Sequence, residues 1–270
     1  MIYINKMFSD KIPKVLTIAG SDSGGGAGIQ ADIKTFTAFK VFSTSVITAI
    51  TAQNTKEVTA VHNVPIEIIT KQIDAVLSDI GTDAVKIGML STSEIIKEVT
   101  DGLKRYSVRN IVLDPVMVSA SGARLIEDSA IESLKKDLIN LALIVTPNIP
   151  EAEVLSGIKI KSLDDMDNAA KKILALGCKS VLIKGGHLDL GVNAMIDILY
   201  SGSKQVKFTN KRINKEGHGT GCTLSSAIAA CLAKGFSVEK SVRYSIDYVH
   251  NALENGFKVG EKNYVLAHFL

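Results

Sequence analysis

The sequence predicts an α/β protein built on one mainly parallel sheet with helices on both faces. Two observations carry that expectation. Short apolar, β-branched runs alternate with helix-spaced segments almost throughout the chain. No composition shift, Pro/Ser-rich linker, low-complexity tract or internal repeat interrupts the alternation. Residues 14–270 therefore read as one domain, preceded by a loose extension at 1–13.

The elements follow in order. Residues 15–19 form an apolar run that stops at Gly20, a strand entering a glycine-rich loop, and a helix should follow the loop to about Phe39. Residues 41–52 are rich in β-branched types and read as one strand or two short ones. Residues 65–80 have helical spacing, 84–87 read as a strand, and 93–106 as a helix capped by Ser93. A strand at 110–113 ends in Asp114-Pro115, a helix spans 130–139 and a strand spans 141–145. Ser162 caps a helix over 163–176, and the strand 180–183 is stopped by Lys184-Gly185-Gly186. Residues 194–200 and 204–209 look like a late hairpin, and two helices at 222–234 and 238–255 close the chain.

Bulk properties narrow the function. A chain of 270 residues with an apolar fraction of 46% can bury a sizeable core. The formal charge of +3 is small and the Lys and Arg residues are scattered, so no nucleic-acid surface is expected. The absence of tryptophan removes stacking platforms as well. Cys178, Cys222 and Cys231 fit no zinc or CxxC spacing and point to a reducing, cytoplasmic setting. No apolar run reaches membrane-spanning length, and residues 1–14 lack the apolar segment of a signal peptide. No membrane partner is expected.

Ligands of such sheets sit beyond the C-terminal strand ends. Here those ends carry Gly20 to Asp22, Gln53, Met89, Asp114 to Met117, Thr146 to Asn148 and Lys184 to His187. Gly217-His218-Gly219-Thr220-Gly221-Cys222 stands before a small-residue helix. A glycine turn feeding a helix N-terminus is an anion site, because free N–H groups and the helix dipole point the same way. The same field should pull down the pKa of a thiol placed there. Cys222 is accordingly the candidate for chemistry, while Cys178 and Cys231 read as buried packing residues.

Other candidates admit two readings each. The loop Gly20 to Gly28 is neither a Walker A loop nor GxGxxG. On the helix behind it, ~100° per residue puts Asp32 inside the apolar arc of Ile29, Ile33, Phe36 and Phe39. A carboxylate there needs a partner, either a neighbouring protein group or a ligand. Gln53 suits a heteroaromatic ring or an ordinary cap; Met89 and Val116 suit a ligand wall or the core. Glu151 and Asp114 offer oxygen ligands for Mg²⁺, or, for Glu151, acidic complement to a helix start. Lys184 can neutralise phosphate or snorkel from the core edge.

Together the segments 16–32, 48–54, 86–90, 113–117, 146–148, 181–187 and 217–222 closely resemble the hydroxymethylpyrimidine/phosphomethylpyrimidine kinase family, thiamine-pathway enzymes of the ribokinase-like superfamily. Motif order and spacing agree from about Lys14 onward. The resemblance implies a ribokinase-like fold and an ATP- and Mg²⁺-dependent kinase that phosphorylates a small pyrimidine alcohol and then its monophosphate. It implies a pyrimidine pocket of Asp32, Gln53, Met89 and Val116, and an anion hole of Gly219, Thr220 and Gly221. Asn148, Glu151 and Lys184 would serve ATP and metal, with Asp114 as a second metal candidate and Cys222 as base. A homodimer is compatible with it. The chain departs from the family pattern at Glu216-Gly217, where a threonine usually precedes the histidine. Pyridoxal kinase is the nearest rival reading, and a non-catalytic pyrimidine-binding protein is a rival from another class. A dinucleotide-dependent oxidoreductase lacks its glycine fingerprint here.

Overall fold

The computed structural model describes residues 12–119, 122–187, 194–262 and 264–269; residues 1–11, most of the expected extension, lie outside them. Nine strands form the main sheet: β1 (Lys14–Asp22), β2 (Phe42–Gln53), β3 (Val58–Asn63), β4 (Ala84–Ile87), β5 (Ile111–Leu113), β6 (Ile144–Val145), β7 (Ser180–Ile183), β8 (Ala194–Ser201) and β9 (Lys204–Lys211). Their order is β3-β2-β1-β4-β5-β6-β7-β8-β9. Every pair from β2 to β7 is parallel, while β3 at one edge and β8–β9 at the other run antiparallel.

The helices are α1 (Gly28–Ala38), α2 (Ile66–Ala75), α3 (Ser93–Arg105), α4 (Asp128–Ser133), α5 (Ile149–Ser156), α6 (Leu163–Leu174), α7 (Thr220–Ala233) and α8 (Val238–Glu254). Adjacent strand residues serve opposite faces, as a pleated strand requires. Leu16, Val85, Ile111, Val145 and Val181 join one core with side chains of α2 to α6. Val15, Ala84, Val112, Ile144 and Leu182 join the other with Phe36 of α1 and residues of α7 and α8. All of 223–232 in α7 is buried, which explains its apolar and small-residue composition on every side.

Several boundaries differ from the sequence expectation, each for a local reason. Of the two readings of 41–52, the single strand holds, shifted by one residue to Phe42–Gln53. The cap of α3 is Thr92, one residue earlier than Ser93; its hydroxyl accepts from the Ile95 N–H at 3.3 Å. Ser162 caps α6 as expected, accepting from the Asp165 N–H at 3.2 Å. The segment 65–80 ends in a π-turn at Val76–Ile80, and 130–139 is split between α4 and a π-turn at Leu134–Leu138. Mostly exposed β3 has no apolar pattern to announce it. A second, three-stranded sheet, β10 (Gly217–His218), β11 (Phe257–Lys258) and β12 (Tyr264–Val265), is built from strands too short for periodicity to reveal. Among the described residues, no helix is long and apolar enough to cross a membrane.

One glycine fixes the turn out of β7. A Cβ on Gly185 would overlap the Ile196 carbonyl oxygen on β8. We expect Gly185→Ala to destabilise the protein by about 1–3 kcal/mol, as overpacking does, seen as a lowered midpoint in thermal unfolding; an unchanged midpoint would show that this close approach is not required.

Candidate active site

A cavity of ≈ 930 Å³ opens at the C-terminal ends of the parallel strands. Gln53, Met89 and Val116 line it, as do Asp114, Asn148, Glu151, Lys184 and the segment Gly217 to Cys222. The walls therefore come from sequence positions far apart, brought together because parallel strands end on one side.

Helix α7 enters this cavity with its N-terminus open. Gly219 is its N-cap in the left-handed region at φ 80°, and no side chain caps it. A Cβ on Gly219 would overlap the Gly26 carbonyl oxygen, so the segment lies hard against the first glycine loop. The first-turn N–H groups of a helix have no intrahelical acceptor. With the dipole behind them, those of Gly219, Thr220 and Gly221 suit an oxyanion.

The first glycine loop is occupied differently. Its N–H groups are taken by Asp22: Gly24 donates to Oδ1 at 2.7 Å, and Gly26 and Ala27 donate to Oδ2 at 3.1 and 2.8 Å. His218 Nε2 lies 3.0 Å from the same Oδ2, and the Gln53 amide nitrogen lies 3.3 Å from Nε2. Burial works against the Asp22 charge, yet the bonds from His218, Ala27 and Gly24 outweigh it and hold the carboxyl below the usual range. Asp22 and His218 thus tie the loop after β1 to the segment before α7.

Elsewhere in the cavity, Lys184 Nζ sits 3.0 Å from Asp114 Oδ1 and 4.0 Å from Glu151 Oε2. Thr146 and Ser225 donate to the two Asp114 oxygens at 3.2 and 3.4 Å. Asn148 and Glu151 form a capping box on α5: the Glu151 N–H donates to Asn148 Oδ1 at 2.9 Å, and the Asn148 N–H to Glu151 Oε2 at 2.8 Å. Burial pushes Glu151 up to about 7, with Lys184 opposing and Asp114 adding to the rise. Asp197, on β8, accepts from the Gly185 N–H at 2.8 Å; burial pushes it up to about 6. Ile213, Leu224, Ile246, Val249 and Leu253 add apolar lining to the cavity. Glu216 also lines it and is exposed, and its carbonyl accepts from the Tyr264 N–H at 2.9 Å, where β10 and β12 pair.

Two expectations are corrected. Asp32 is fully buried and does not line the cavity. Its oxygens each lie 2.9 Å from Lys86 Nζ and also accept from Thr17 at 2.6 Å and Ser226 at 2.7 Å. The partner that its position required is a lysine rather than a ligand. Cys222 has a thiol pushed up to about 11, not pulled down. Burial is the largest cause; Lys86 and a bond from the Gly28 backbone N–H oppose it, and Asp32 and Asp114 add to it.

Sequence reasoning missed Asp22, Lys86 and His218 as site residues. A signal existed for Lys86. A lysine within an otherwise apolar four-residue strand needs a partner for its charge, and Asp32 was already expected to need a partner of its own. Nothing comparable marks Asp22 and His218, which meet across 196 positions.

A mainly parallel sheet with helices on both faces, and a cavity at its strand ends lined by an open helix N-terminus and a lysine with two carboxylates, is the architecture of a ribokinase-like phosphotransferase. The chain belongs to the phosphomethylpyrimidine kinase family, which it matches over residues 22–267. It is 46% identical over 259 residues to the hydroxymethylpyrimidine/phosphomethylpyrimidine kinase of Bacillus subtilis, covering 96% of this chain and 95% of that one. The crystal structure of phosphomethylpyrimidine kinase from Clostridium difficile matches with TM-score 0.80 and 51% identity, covering 90% of this chain and 99% of that one. The pyridoxal kinase from Staphylococcus aureus in complex with AMP-PCP and pyridoxal matches with TM-score 0.88 and 36% identity, covering 96% and 94%.

The Asp22 pairing has a pH signature. A depressed folded-state pKa stabilises the fold fully above the unfolded value of 3.8, and the contribution is lost as pH falls through the lower folded value. We expect Asp22→Asn to reduce stability at pH 7 and to flatten the acid limb below pH ~4 in denaturant titrations across pH. An acid limb identical to that of the native chain would remove Asp22 from this role.

Proposed function

We propose that the protein transfers the γ-phosphoryl group of ATP to the hydroxymethyl group of 4-amino-5-hydroxymethyl-2-methylpyrimidine, and then phosphorylates the monophosphate to the diphosphate for thiamine biosynthesis. The observation that carries this reading is the uncapped N-terminus of α7, in one cavity with Gln53, Met89 and Val116 and with the Lys184 cluster. Phosphoryl transfer is mostly positioning and charge stabilisation, and this arrangement supplies both.

In this reading Gln53 meets the polar edge of the pyrimidine, and Met89 and Val116 meet its faces. The N–H groups of Gly219, Thr220 and Gly221 hold the transferring phosphoryl oxygens. Lys184 neutralises nucleotide phosphate charge, Asn148 stands beside it, and the apolar lining takes the nucleotide base. Cys222 accepts the proton of the hydroxymethyl group in the first transfer. The second acceptor is already a phosphate oxygen and needs no such base.

The residues fit a magnesium ion brought in with the nucleotide. Asp114 and Glu151 are two buried oxygen donors beside one lysine, and burial, with Asp114 adding to it, pushes Glu151 up to about 7, so a cation there would take the place of a proton. Among the described residues no group of three or more His, Cys, Asp and Glu forms an all-protein cage, and Mg²⁺ normally takes few carboxylates plus phosphate oxygens. When bound, the ion would neutralise phosphate charge on the nucleotide side.

A second reading, phosphorylation of pyridoxal, is favoured by the backbone similarity to the pyridoxal kinase of Staphylococcus aureus at TM-score 0.88. Apolar ring pockets discriminate poorly between similar shapes. A coupled ADP-release assay with the pyrimidine alcohol, its monophosphate and pyridoxal decides between them by kcat/KM. Higher values for both pyrimidines support the first reading; a higher value for pyridoxal replaces it.

Cys222→Ala should slow the first transfer by about 10²-fold or more, the scale of general-base loss, and leave the second within about threefold. Equal loss in both, or in neither, would end the division of labour. Glu151→Gln keeps the capping box but removes a charge. We expect it to raise the Mg²⁺ concentration for half-maximal ADP release about tenfold; an unchanged Mg²⁺ requirement would exclude Glu151 as a ligand.

A further inference from the structure

Lys86 is buried on every side, and its side chain, like that of Asp32, has no solvent exposure. It nevertheless lies against the cavity that Cys222 also lines. Both Asp32 oxygens are 2.9 Å from Nζ. An ammonium has three donors, so a bidentate carboxylate leaves one unused. Gly88 provides the space beside it, since a Cβ there would stand 2.8 Å from Nζ. Ser226 donates to Asp32 Oδ1 at 2.7 Å. Residue 226 is one helical turn beyond Cys222, so the same face of α7 presents the thiol to the cavity and the serine to the ion pair. A buried ion pair can often be replaced by apolar residues without loss of stability. Stability alone therefore does not explain this one.

We propose that Lys86 is a positioning residue for the first phosphoryl transfer: held by Asp32, its ammonium stabilises negative charge on Cys222 Sγ from behind the cavity wall. This deepens the reading of Cys222 as base and rests on it. The charged groups acting on Cys222 are Lys86 on β4, Asp32 on α1, Asp114 after β5 and Lys184 after β7. Burial opposes the Lys86 charge, but Asp32, Cys222 and Asp114 outweigh it and hold the lysine above its ordinary range. Lys86 is thus a permanent cation whose effect on the thiol opposes burial. In the step it supports, Cys222 enters as the thiolate: the hydroxymethyl proton passes to Sγ and leaves a neutral thiol, the substrate oxygen bonds to Pγ, and the bond from Pγ to the ADP oxygen breaks with its electron pair leaving on ADP. Lys86 touches none of the reacting atoms.

The test reads thiol reactivity, which does not depend on the kinase reading. Cys222 is only partly buried, whereas Cys178 and Cys231 are buried, and alkylation of the Cys222 peptide by iodoacetamide is followed by mass spectrometry. Well below the thiol midpoint the rate follows the thiolate fraction and falls tenfold per unit of upward shift. At pH 8, Lys86→Gln should slow alkylation about tenfold, and Asp32→Asn should speed it severalfold. The double variant Lys86→Met with Asp32→Asn, which leaves no buried charge, should also be slower than the native chain, but less so than Lys86→Gln. In the same proteins, first-transfer kcat/KM of Lys86→Gln should fall about tenfold, with KM for the pyrimidine alcohol within about twofold and the second transfer unchanged. Circular dichroism establishes folding, and the double variant carries the test if Lys86→Gln does not fold. Native alkylation rates in the folded Lys86 variants, or single variants displaced in the same direction, would overturn the proposal. Failure of the kinase reading has a different signature: no ADP release by the native protein with any of the three acceptors.

Discussion

The arrangement of the site depends on one buried carboxylate. Asp32 on α1 is bonded to Thr17 on β1, Lys86 on β4 and Ser226 on α7, so four elements meet at two oxygens. Burying charges costs several kcal/mol per ion unless geometry and further hydrogen bonds repay it, and losing one partner leaves an uncompensated charge worth about 3–5 kcal/mol. The arrangement is therefore close to all-or-none. Its consequence is geometric: α7 has no freedom to rotate or slide over the sheet without breaking the Ser226 bond. The direction in which its N-terminus opens is set one turn below the residues that would use it.

With α7 fixed, the two glycine-rich segments acquire different roles although both precede helices. The loop after β1 points its N–H groups at its own Asp22, which satisfies them internally. α5 is closed in a similar way by Asn148 and Glu151. α7 has neither device, because its N-cap is a glycine in a conformation that L side chains rarely adopt. Neither α1 nor α7 has a side-chain cap at its N-cap residue; what separates them is that Asp22 takes the N–H groups leading into α1, whereas among the described residues no side chain does so for α7. The Asp22–His218 pair and the β10–β12 pairing then brace the segment before α7 from two sides.

Much of this was legible in the sequence, for identifiable reasons. Strand–helix alternation is a local pattern, and it located β1, β4, β7 and α6 to within a few residues. The residues after each strand could be named because parallel topology sends every C-terminal end to one side. What escaped were pairings between distant positions. Asp32 was recognised as needing a partner, but periodicity cannot choose between a ligand and Lys86 in another element. The Cys222 thiol was read from its position at a helix N-terminus alone, whereas its acidity is governed by burial, which only the packed structure reveals. The two-residue strands of the small sheet carry no period at all.

The raised thiol and the proposed chemistry are compatible once charge is counted over the whole neighbourhood. A buried thiol near 11 is mostly protonated at neutral pH, and negative charge on it is opposed by desolvation and by Asp32 and Asp114. Such a group is a strong base when charged and a poor one to charge. Lys86 comes from β4 and Lys184 from the turn after β7, and each of them is itself favoured by negative charge on the sulfur. A nucleotide entering with its own cation would further offset the Asp114–Glu151 side, while Lys86 remains committed to Asp32 and Cys222. Both lysines thus act on Cys222, but each is hydrogen-bonded to a different carboxylate, Lys86 to Asp32 and Lys184 to Asp114. In the proposed function Lys184 would face the phosphate donor, and Lys86 would support the group that receives the acceptor's proton. That division would let one cavity serve an alcohol acceptor, which must lose a proton, and a phosphate acceptor, which need not.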